Sequence, residues 1–296
     1  MAATLLGGGY SNTNVLIVTE RGRYVLRRYR HGPRDAARRT CAVEAALAAR
    51  LASTAVPVPE VIAADPEGSA AGEPLLVARH VPGVLVSDAV QSDRAAAPDI
   101  AAAAGRALAA IGSVTLERAG FFTGASLAPS AEGQPGSLPE FVDACLRAGR
   151  AATALSPAEL GQLRDLAAAA GPLAAAAWSA RQLVHSDYNG KNLLAVQRDG
   201  LWSISAVLDW EFAFSGSPLV DVGNMLRFRA QHPPGFEDEF IAGYQAAGGR
   251  LPPGWREISE ALDLYALADF LTRPPGHRYF GKAVAVIRER LARGPR

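Results

Sequence analysis

The sequence is short of cysteine, of net charge and of uninterrupted apolar runs, and each shortage closes off a class of protein. Two cysteines, Cys41 and Cys145, stand in 296 residues, with no CxxC pair and no cysteine–histidine cluster. Neither a structural zinc site nor a disulfide framework is expected, and a reducing compartment, the cytoplasm, is. Thirty basic against 29 acidic side chains leave a net charge of +1. That is too little to hold a polyanion, so no nucleic-acid partner is expected. Residues 166–180, the longest uncharged run near the middle, are alanine-rich and carry Gly171-Pro172. They read as a helix with a break, not as a membrane span. The opening Met1-Ala-Ala-Thr-Leu-Leu lacks the basic segment that precedes the apolar core of a signal peptide. No internal repeat is visible.

What is present suffices for a core: 49% of residues are hydrophobic and 20% charged. The length fits one large domain or two lobes sharing a cleft. Residues 14–19 and 24–29 read as strands of a hairpin around the turn 20–23. Residues 34–53 place Ala37, Cys41, Ala45, Leu47, Ala48 and Leu51 at helical spacing, and Val56-Pro57-Val58-Pro59 ends that helix. Short strands are expected at 60–64 and 74–78, and His80-Val81-Pro82-Gly83 reads as a linker. Beyond it the pattern turns helical, at 99–112, 139–149 and 157–177. Residues 123–137, rich in Gly, Ser, Pro and Ala, read as a flexible surface loop. Strands at 192–197 and 202–208 flank the turn Arg198-Asp199-Gly200, and helices close the chain.

The most informative stretch is Leu183-Val184-His185-Ser186-Asp187-Tyr188-Asn189-Gly190-Lys191-Asn192, followed by Val207-Leu208-Asp209-Trp210-Glu211. An Asp and an Asn stand five residues apart on a polar loop, and a second Asp ends an apolar run. Phosphoryl transfer from a nucleotide needs these groups. Asp187 is the candidate general base that orients a hydroxyl and accepts its proton, and an ordinary carboxylate pKa would keep it ionised at pH 7. Asn192 and Asp209 are the candidate magnesium ligands, since magnesium prefers a few protein oxygens with phosphate and water completing its shell.

These residues, with Gly216-x-Pro218-x2-Asp221-x-Gly223-Asn224, resemble the aminoglycoside phosphotransferase family, whose small-molecule kinases share a protein-kinase-like fold. The likeness extends over residues 7–270, and includes Gly9-Tyr10-Ser11-Asn12-Thr13-Asn14 and Tyr24-Val25-Leu26-Arg27-Arg28-Tyr29. The opening motif also resembles homoserine kinase-like members. The resemblance implies an α+β, bilobal protein-kinase-like fold, with a small antiparallel N-lobe bearing one main helix and a larger, mostly helical C-lobe. Residues 1–79 would form the nucleotide-binding lobe, 80–83 the hinge and 84–296 the catalytic and substrate-binding lobe. ATP, with GTP as the alternative, and Mg2+ are the implied cofactors.

Residue by residue, the resemblance implies further roles. Arg27 falls where the family carries a cation for the nucleotide phosphates, usually Lys, and Glu44 is its natural partner. Gly7-Gly8-Gly9 with Ser11 and Asn12 would cover the phosphates with backbone amides. Adenine would bond to the Arg79 carbonyl and the Val81 amide. His185 would hold the loop, and Asp221 would brace its backbone. Lys191 would reach a phosphate or be solvated. Glu211 would sit beside the metal, face the acceptor or lie on the surface. A polycationic acceptor, an aminoglycoside or a basic peptide such as a tuberactinomycin, needs carboxylates around it. Glu140, Asp143, Glu237, Asp238, Glu239, Asp263 and Asp269 are available, whereas the basic terminus 288–296 argues against a C-terminal carboxylate in that role. The rival readings are a metabolic kinase of an amino alcohol or sugar and a nucleotide-binding pseudokinase, the latter disfavoured by the intact Asp187, Asn192 and Asp209. A protein substrate is not expected, because no activation segment with a phosphorylation site lies between Asp209 and Asp221. A monomer or weak dimer without membrane attachment is expected.

Overall fold

A computed structural model describes residues 2–7, 12–30, 32–130 and 136–294. The expected hairpin is there, extended by a strand ahead of it. Strands β1 (Ala2–Leu6), β2 (Asn12–Thr19) and β3 (Gly22–Tyr29) form a meander, and β4 (Val61–Asp65) and β5 (Leu75–Arg79) complete an antiparallel sheet in the order β1-β2-β3-β5-β4. All five residues of β1 are exposed, so no burial alternation announces that strand in the sequence. Helix α1 (Arg34–Leu51) packs on this sheet. Its Ala37 and Cys41 join a small core with Tyr29, Leu76 and Ala78, while Val43, Leu47 and Leu51 belong to the main core. One amphipathic stripe thus touches both parts of the molecule.

The linker enters β6 (Val84–Leu85) through Gly83. Its φ is 155°, and a Cβ there would stand 2.9 Å from the Ser205 hydroxyl and 3.0 Å from the Ala195 carbonyl oxygen. Only glycine fits that approach. The chain then runs through α2 (Val86–Ser92), α3 (Ala97–Gly112), β7 (Gly120–Phe122), β8 (Pro129–Ser130), α4 (Leu138–Arg147), α5 (Pro157–Ala177), β9 (Gln182–Val184), β10 (Leu193–Arg198), β11 (Leu201–Val207), β12 (Phe214–Gly216), α6 (Leu219–Leu226), α7 (Phe236–Ala246), α8 (Trp255–Phe270) and α9 (Arg278–Arg293). Among the described residues the later strands form two small sheets, β11-β10-β6 and β8-β7-β12-β9. Helices α3 and α7 meet at glycines. A Cβ on Gly105 would fall 2.0 Å from the Phe240 carbonyl oxygen, and one on Gly243 2.2 Å from that of Ala102. The backbones therefore come closer than any side chain would allow.

Two local expectations are corrected. Helix α5 runs straight through Pro172 instead of breaking. Proline removes a hydrogen bond to the residue four earlier, but Pro172 and Ala168 are both exposed, so water can serve the freed carbonyl. Gly171 lets the start of α4 approach, since a Cβ there would lie 3.3 Å from Pro139 Cδ. Residues 123–137 are not loop throughout: Pro129 and Ser130 pair with Phe122 and Phe121. No helix among the described residues is long and apolar enough to cross a membrane.

Candidate active site

The loop from β9 to β10 is shaped by a buried carboxylate. Asp221, in the first turn of α6, accepts the backbone N–H groups of His185 and Ser186, each at 2.7 Å. Asn224, one turn on, donates to the Ser186 carbonyl at 2.7 Å. Ser186 sits at φ 72°, a left-handed conformation that costs a side-chain-bearing residue about 1–2 kcal/mol; the three bonds hold it there. Burial pushes the Asp221 carboxyl up to about 7, against the pull of the two amides. The buried His185 accepts the Asp187 N–H at Nδ1 (3.2 Å), so its Nε2 carries the proton that meets the Leu208 carbonyl at 2.8 Å. Burial lowers its pKa to about 4. His185 is therefore a neutral strut joining the loop to the end of β11.

Asp187 stands between two amides. Asn192 Nδ2 donates to one carboxylate oxygen at 2.8 Å and Asn189 Nδ2 to the other at 2.9 Å. Both amides also bond the Asp187 carbonyl, at 2.9 and 3.0 Å. The side chain is thereby held in one orientation. Its pKa is not ordinary, as the sequence reading assumed: burial raises it to about 6, with the Asn192 bond opposing.

Asp209 follows β11 at φ 67°. Its neighbour Leu208 donates its N–H to the Asn192 carbonyl at 2.8 Å, so Asn192 and Asp209 stand at adjoining strand ends. Facing them is the front sheet. Arg27 and Tyr29 alternate onto the face of β3 that meets α1. Arg27 Nη2 lies 2.5 Å from Asp209 Oδ1, 3.3 Å from Glu44 Oε1 and 3.5 Å from Glu211 Oε2. Glu44, buried in α1, also accepts the Tyr29 hydroxyl at 2.5 Å. Burial drives the Glu44 carboxyl up to about 7 against the pull of Arg27 and Tyr29. Asn12, on β2, donates to Glu211 at 2.9 Å. Burial, reinforced by Asp209, raises the Glu211 pKa.

The donor set suits a hard divalent cation. Oxygens of Glu44, Asp209 and Glu211 lie within 4.8 Å of one another, and Asn192, having spent its amide nitrogen on Asp187, keeps its oxygen for another partner. Glu44 Oε1 and Arg27 Nε are buried without a hydrogen-bond partner among the described residues.

The structure thus brings Asp187, Asn192, Asp209, Arg27, Glu44 and Asn12 together. Ser11, with Gly8 and Gly9, lies outside the described residues. Arg79 ends β5; its N–H goes to the Glu60 carbonyl (2.8 Å) and its guanidinium to the Glu60 carboxylate (2.6 Å), while the His80 N–H bonds the Arg23 carbonyl at 3.0 Å. Val81, half-buried, follows in the linker. Four of the seven acidic side chains expected around a polycation are paired with arginines. Asp143 pairs with Arg164, Glu237 with Arg256, Asp269 with Arg273, and the buried Asp263 with both Arg227 and Arg290. Glu140 caps α4 with Ser137, and the exposed Asp238 and Glu239 occupy the first turn of α7. Sequence reasoning missed Asn189 and Tyr29. Asn189 was legible as an Asx-type residue two after Asp187; Tyr29 carried no signal beyond strand alternation.

An antiparallel sheet with one long helix, followed by a helical part bearing a carboxylate loop, is the architecture of kinase-like phosphotransferases. The comparisons agree. The phosphotransferase enzyme family matches residues 2–260, and the chain belongs to that family. A thermostable mutant of aminoglycoside phosphotransferase APH(4)-Ia, in complex with ADP and hygromycin B, shares the fold with a TM-score of 0.69 at 19% identity, covering 100% of this chain and 95% of that one. Macrolide 2'-phosphotransferase MphH from Brachybacterium faecium superposes with a TM-score of 0.61 at 20% identity over 96% and 91% of the two chains. The streptomycin–ATP complex of APH(2")-IIa gives 0.63 at 14% identity over 98% and 92%. Comparison with curated protein sequences finds no match.

Proposed function

We propose that the chain is an ATP-dependent O-phosphotransferase that moves the γ-phosphoryl group to a hydroxyl of a small molecule. The observation that carries this reading is Asp187 held between Asn189 and Asn192, with Asn192 bonded through its carbonyl to the strand end that bears Asp209. Residues 1–79 and 84–296 act as lobes around the nucleotide, with 80–83 as hinge, the Arg79 carbonyl and Val81 amide meeting adenine, and Ser11 and Asn12 covering the phosphates. Asp187 aligns the acceptor hydroxyl and takes its proton at a carboxylate oxygen. Asn192 and Asp209 would hold magnesium, which neutralises charge on the phosphates when bound. Arg27, kept in place by Glu44, adds a fixed positive charge beside them. The adenine nucleotides in the APH(4)-Ia and APH(2")-IIa complexes support ATP over GTP.

Two acceptor classes remain in view. Hygromycin B and streptomycin in those same complexes support an antibiotic, with resistance as the consequence. A metabolic hydroxy compound is favoured by the pairing of Asp143, Glu237, Asp263 and Asp269 with arginines. The test is ATP-dependent phosphate-ester formation across basic antibiotics, homoserine, choline and simple sugars, read by phosphorus NMR. Asp187→Ala should bind ATP yet lose about 10²–10⁴-fold in turnover; near-normal turnover in that variant refutes the proposal.

A further inference from the structure

Behind α6, the helix whose Asp221 and Asn224 hold the Asp187 loop, lies a small cavity walled by residues of α6, α7, α8 and α9. It encloses about 30 Å³, room for one or two atoms the size of water. Its walls are charged. Arg256 pairs with Glu237 at 2.8 Å, Arg229 with Glu260 at 2.5 Å and Glu289 at 3.9 Å, and Arg293 with Glu260 at 3.1 Å. Deeper in, Asp263 accepts Arg227 at 2.7 Å and Arg290 at 2.6 Å.

Two observations set this cluster apart from an ordinary network of ion pairs. The first is the balance of charge. Asp263 is fully buried, and the side chains of Arg227 and Arg290 are 6% and 7% exposed. Two guanidiniums, charged at any working pH, thus share one carboxylate away from water. The wall as a whole repeats the surplus, with five arginines against four carboxylates, Asp263 included. A buried charge without a counterion is costly. The second observation is a pair of idle donors. Arg290 gives Nη1 to the Glu260 carbonyl at 2.8 Å and Nη2 to Asp263, and Arg293 gives Nη1 to the Glu260 carboxylate. The Nε atoms of both are buried with no hydrogen-bond partner among the described residues. Residues 290 and 293 are neighbours on one face of α9, and both line the cavity. An acceptor carrying one negative charge answers both features.

We infer that the cavity is a binding site for a small monovalent anion, a halide such as chloride, between the Nε–H groups of Arg290 and Arg293. A halide only accepts hydrogen bonds, matches the surplus charge, and fits a space too small for the five heavy atoms of phosphate. A water would leave the charge unanswered. The site reaches the candidate loop through a chain of contacts. Arg290 and Arg227 share Asp263, Arg227 donates to the Asn224 amide oxygen, and Asn224 donates to the Ser186 carbonyl at 2.7 Å. An anion that fixes Arg290 therefore braces, from behind, the turn that precedes Asp187.

The experiment follows the chloride NMR linewidth as chloride replaces gluconate at constant ionic strength. Exchange with the site should broaden the line in a saturable way, and an equal amount of phosphate should leave the broadening in place. Arg293→Leu should raise the half-saturating chloride concentration by about tenfold or more, the loss of one charge-assisted hydrogen bond. Arg290 is kept, because Asp263 depends on it. Arg164→Leu, which removes a positive charge from the exposed pair with Asp143, should change nothing and controls for net charge. At chloride about tenfold above half-saturation the melting temperature should rise by about 2–4 °C in wild type and in Arg164→Leu, and less in Arg293→Leu. Crystals grown in bromide should show an anomalous scatterer beside the Arg290 and Arg293 Nε atoms. Broadening that does not saturate, that survives Arg293→Leu unchanged or that phosphate displaces overturns the site, as does a melting temperature indifferent to chloride. Bromide found only elsewhere on the surface would mean an adventitious ion only, and would overturn it equally. None of these measurements depends on turnover, so they stand or fall apart from the phosphotransfer reading.

Discussion

Replacing Asp187 by asparagine should abolish activity and, at the same time, relieve the fold of a charge it holds at a cost. Burial moves the Asp187 pKa from 3.8 to about 6. Because the folded value is raised, the stability contributed by its proton is complete below pH ~3.8 and is lost as pH rises through ~6. At about 1.4 kcal/mol per pH unit, the interval from 3.8 to about 6 amounts to about 3 kcal/mol. The carboxylate opens in part to the cleft, so solvent screening reduces this, to roughly 1.5 kcal/mol at the lower bound. The asparagine side chain carries no charge at any pH, although it presents an N–H2 where one of the two amides had found an oxygen, a loss of about 1 kcal/mol at every pH. The discriminating quantity is therefore the pH dependence of the difference. In urea titrations followed by tryptophan fluorescence, the stability of Asp187→Asn minus wild type should rise by about 1.5–3 kcal/mol between pH 4 and pH 8, then level off. Raised carboxyls at Glu44 and Asp221 contribute to both proteins and largely cancel. Wild-type turnover should fall below about pH 6 as the base is protonated, and the variant should lose about 10²–10⁴-fold. A difference that stays flat with pH, or that falls as pH rises, would show that the amides outweigh burial and would refute the reasoning.

Three further outcomes are expected. Asn192→Ala and Asp209→Ala should each raise the magnesium concentration for half-maximal turnover at fixed ATP; unchanged half-saturation in both would place the metal ligands elsewhere. Arg27→Ala and Glu44→Ala should each impair ATP use and couple by about 0.5–3 kcal/mol in a double-mutant cycle, with Arg27→Lys partly active because charge survives without the fork geometry; strict additivity would separate the two residues. Gly105→Ala drives a Cβ to 2.0 Å from the Phe240 carbonyl oxygen and should destabilise by about 3 kcal/mol or more. Gly161→Ala, with nothing within 4 Å, should instead stabilise α5 by about 0.5–1 kcal/mol; equal melting temperatures for the two variants would contradict the helix contact.

The sequence alone determined the hairpin of β2 and β3, helix α1 and the place of the candidate loop in the chain. Strand-forming runs on either side of a turn marked β2 and β3, helical spacing marked α1, and the fixed spacing from His185 to Asn192 marked the loop, because these are local patterns written in consecutive residues. The proposed partnership of Arg27 with Glu44 was legible only through a resemblance. What the tertiary structure decided is the environment, since burial and charge depend on residues far apart in the chain. It raised Asp187 to about 6, placed Arg27 on Asp209 as well as Glu44, and gave Glu211 a partner in Asn12 across 199 residues of sequence. The exposed β1 and the unbroken α5 escaped sequence reading for one reason. Pairing with β2 and an exposed face around Pro172 settle those segments, and neither leaves a local apolar pattern. The acidic side chains of the helical part show the same limit, because composition counts carboxylates and only the fold reveals that arginines have already claimed Asp143, Glu237, Asp263 and Asp269.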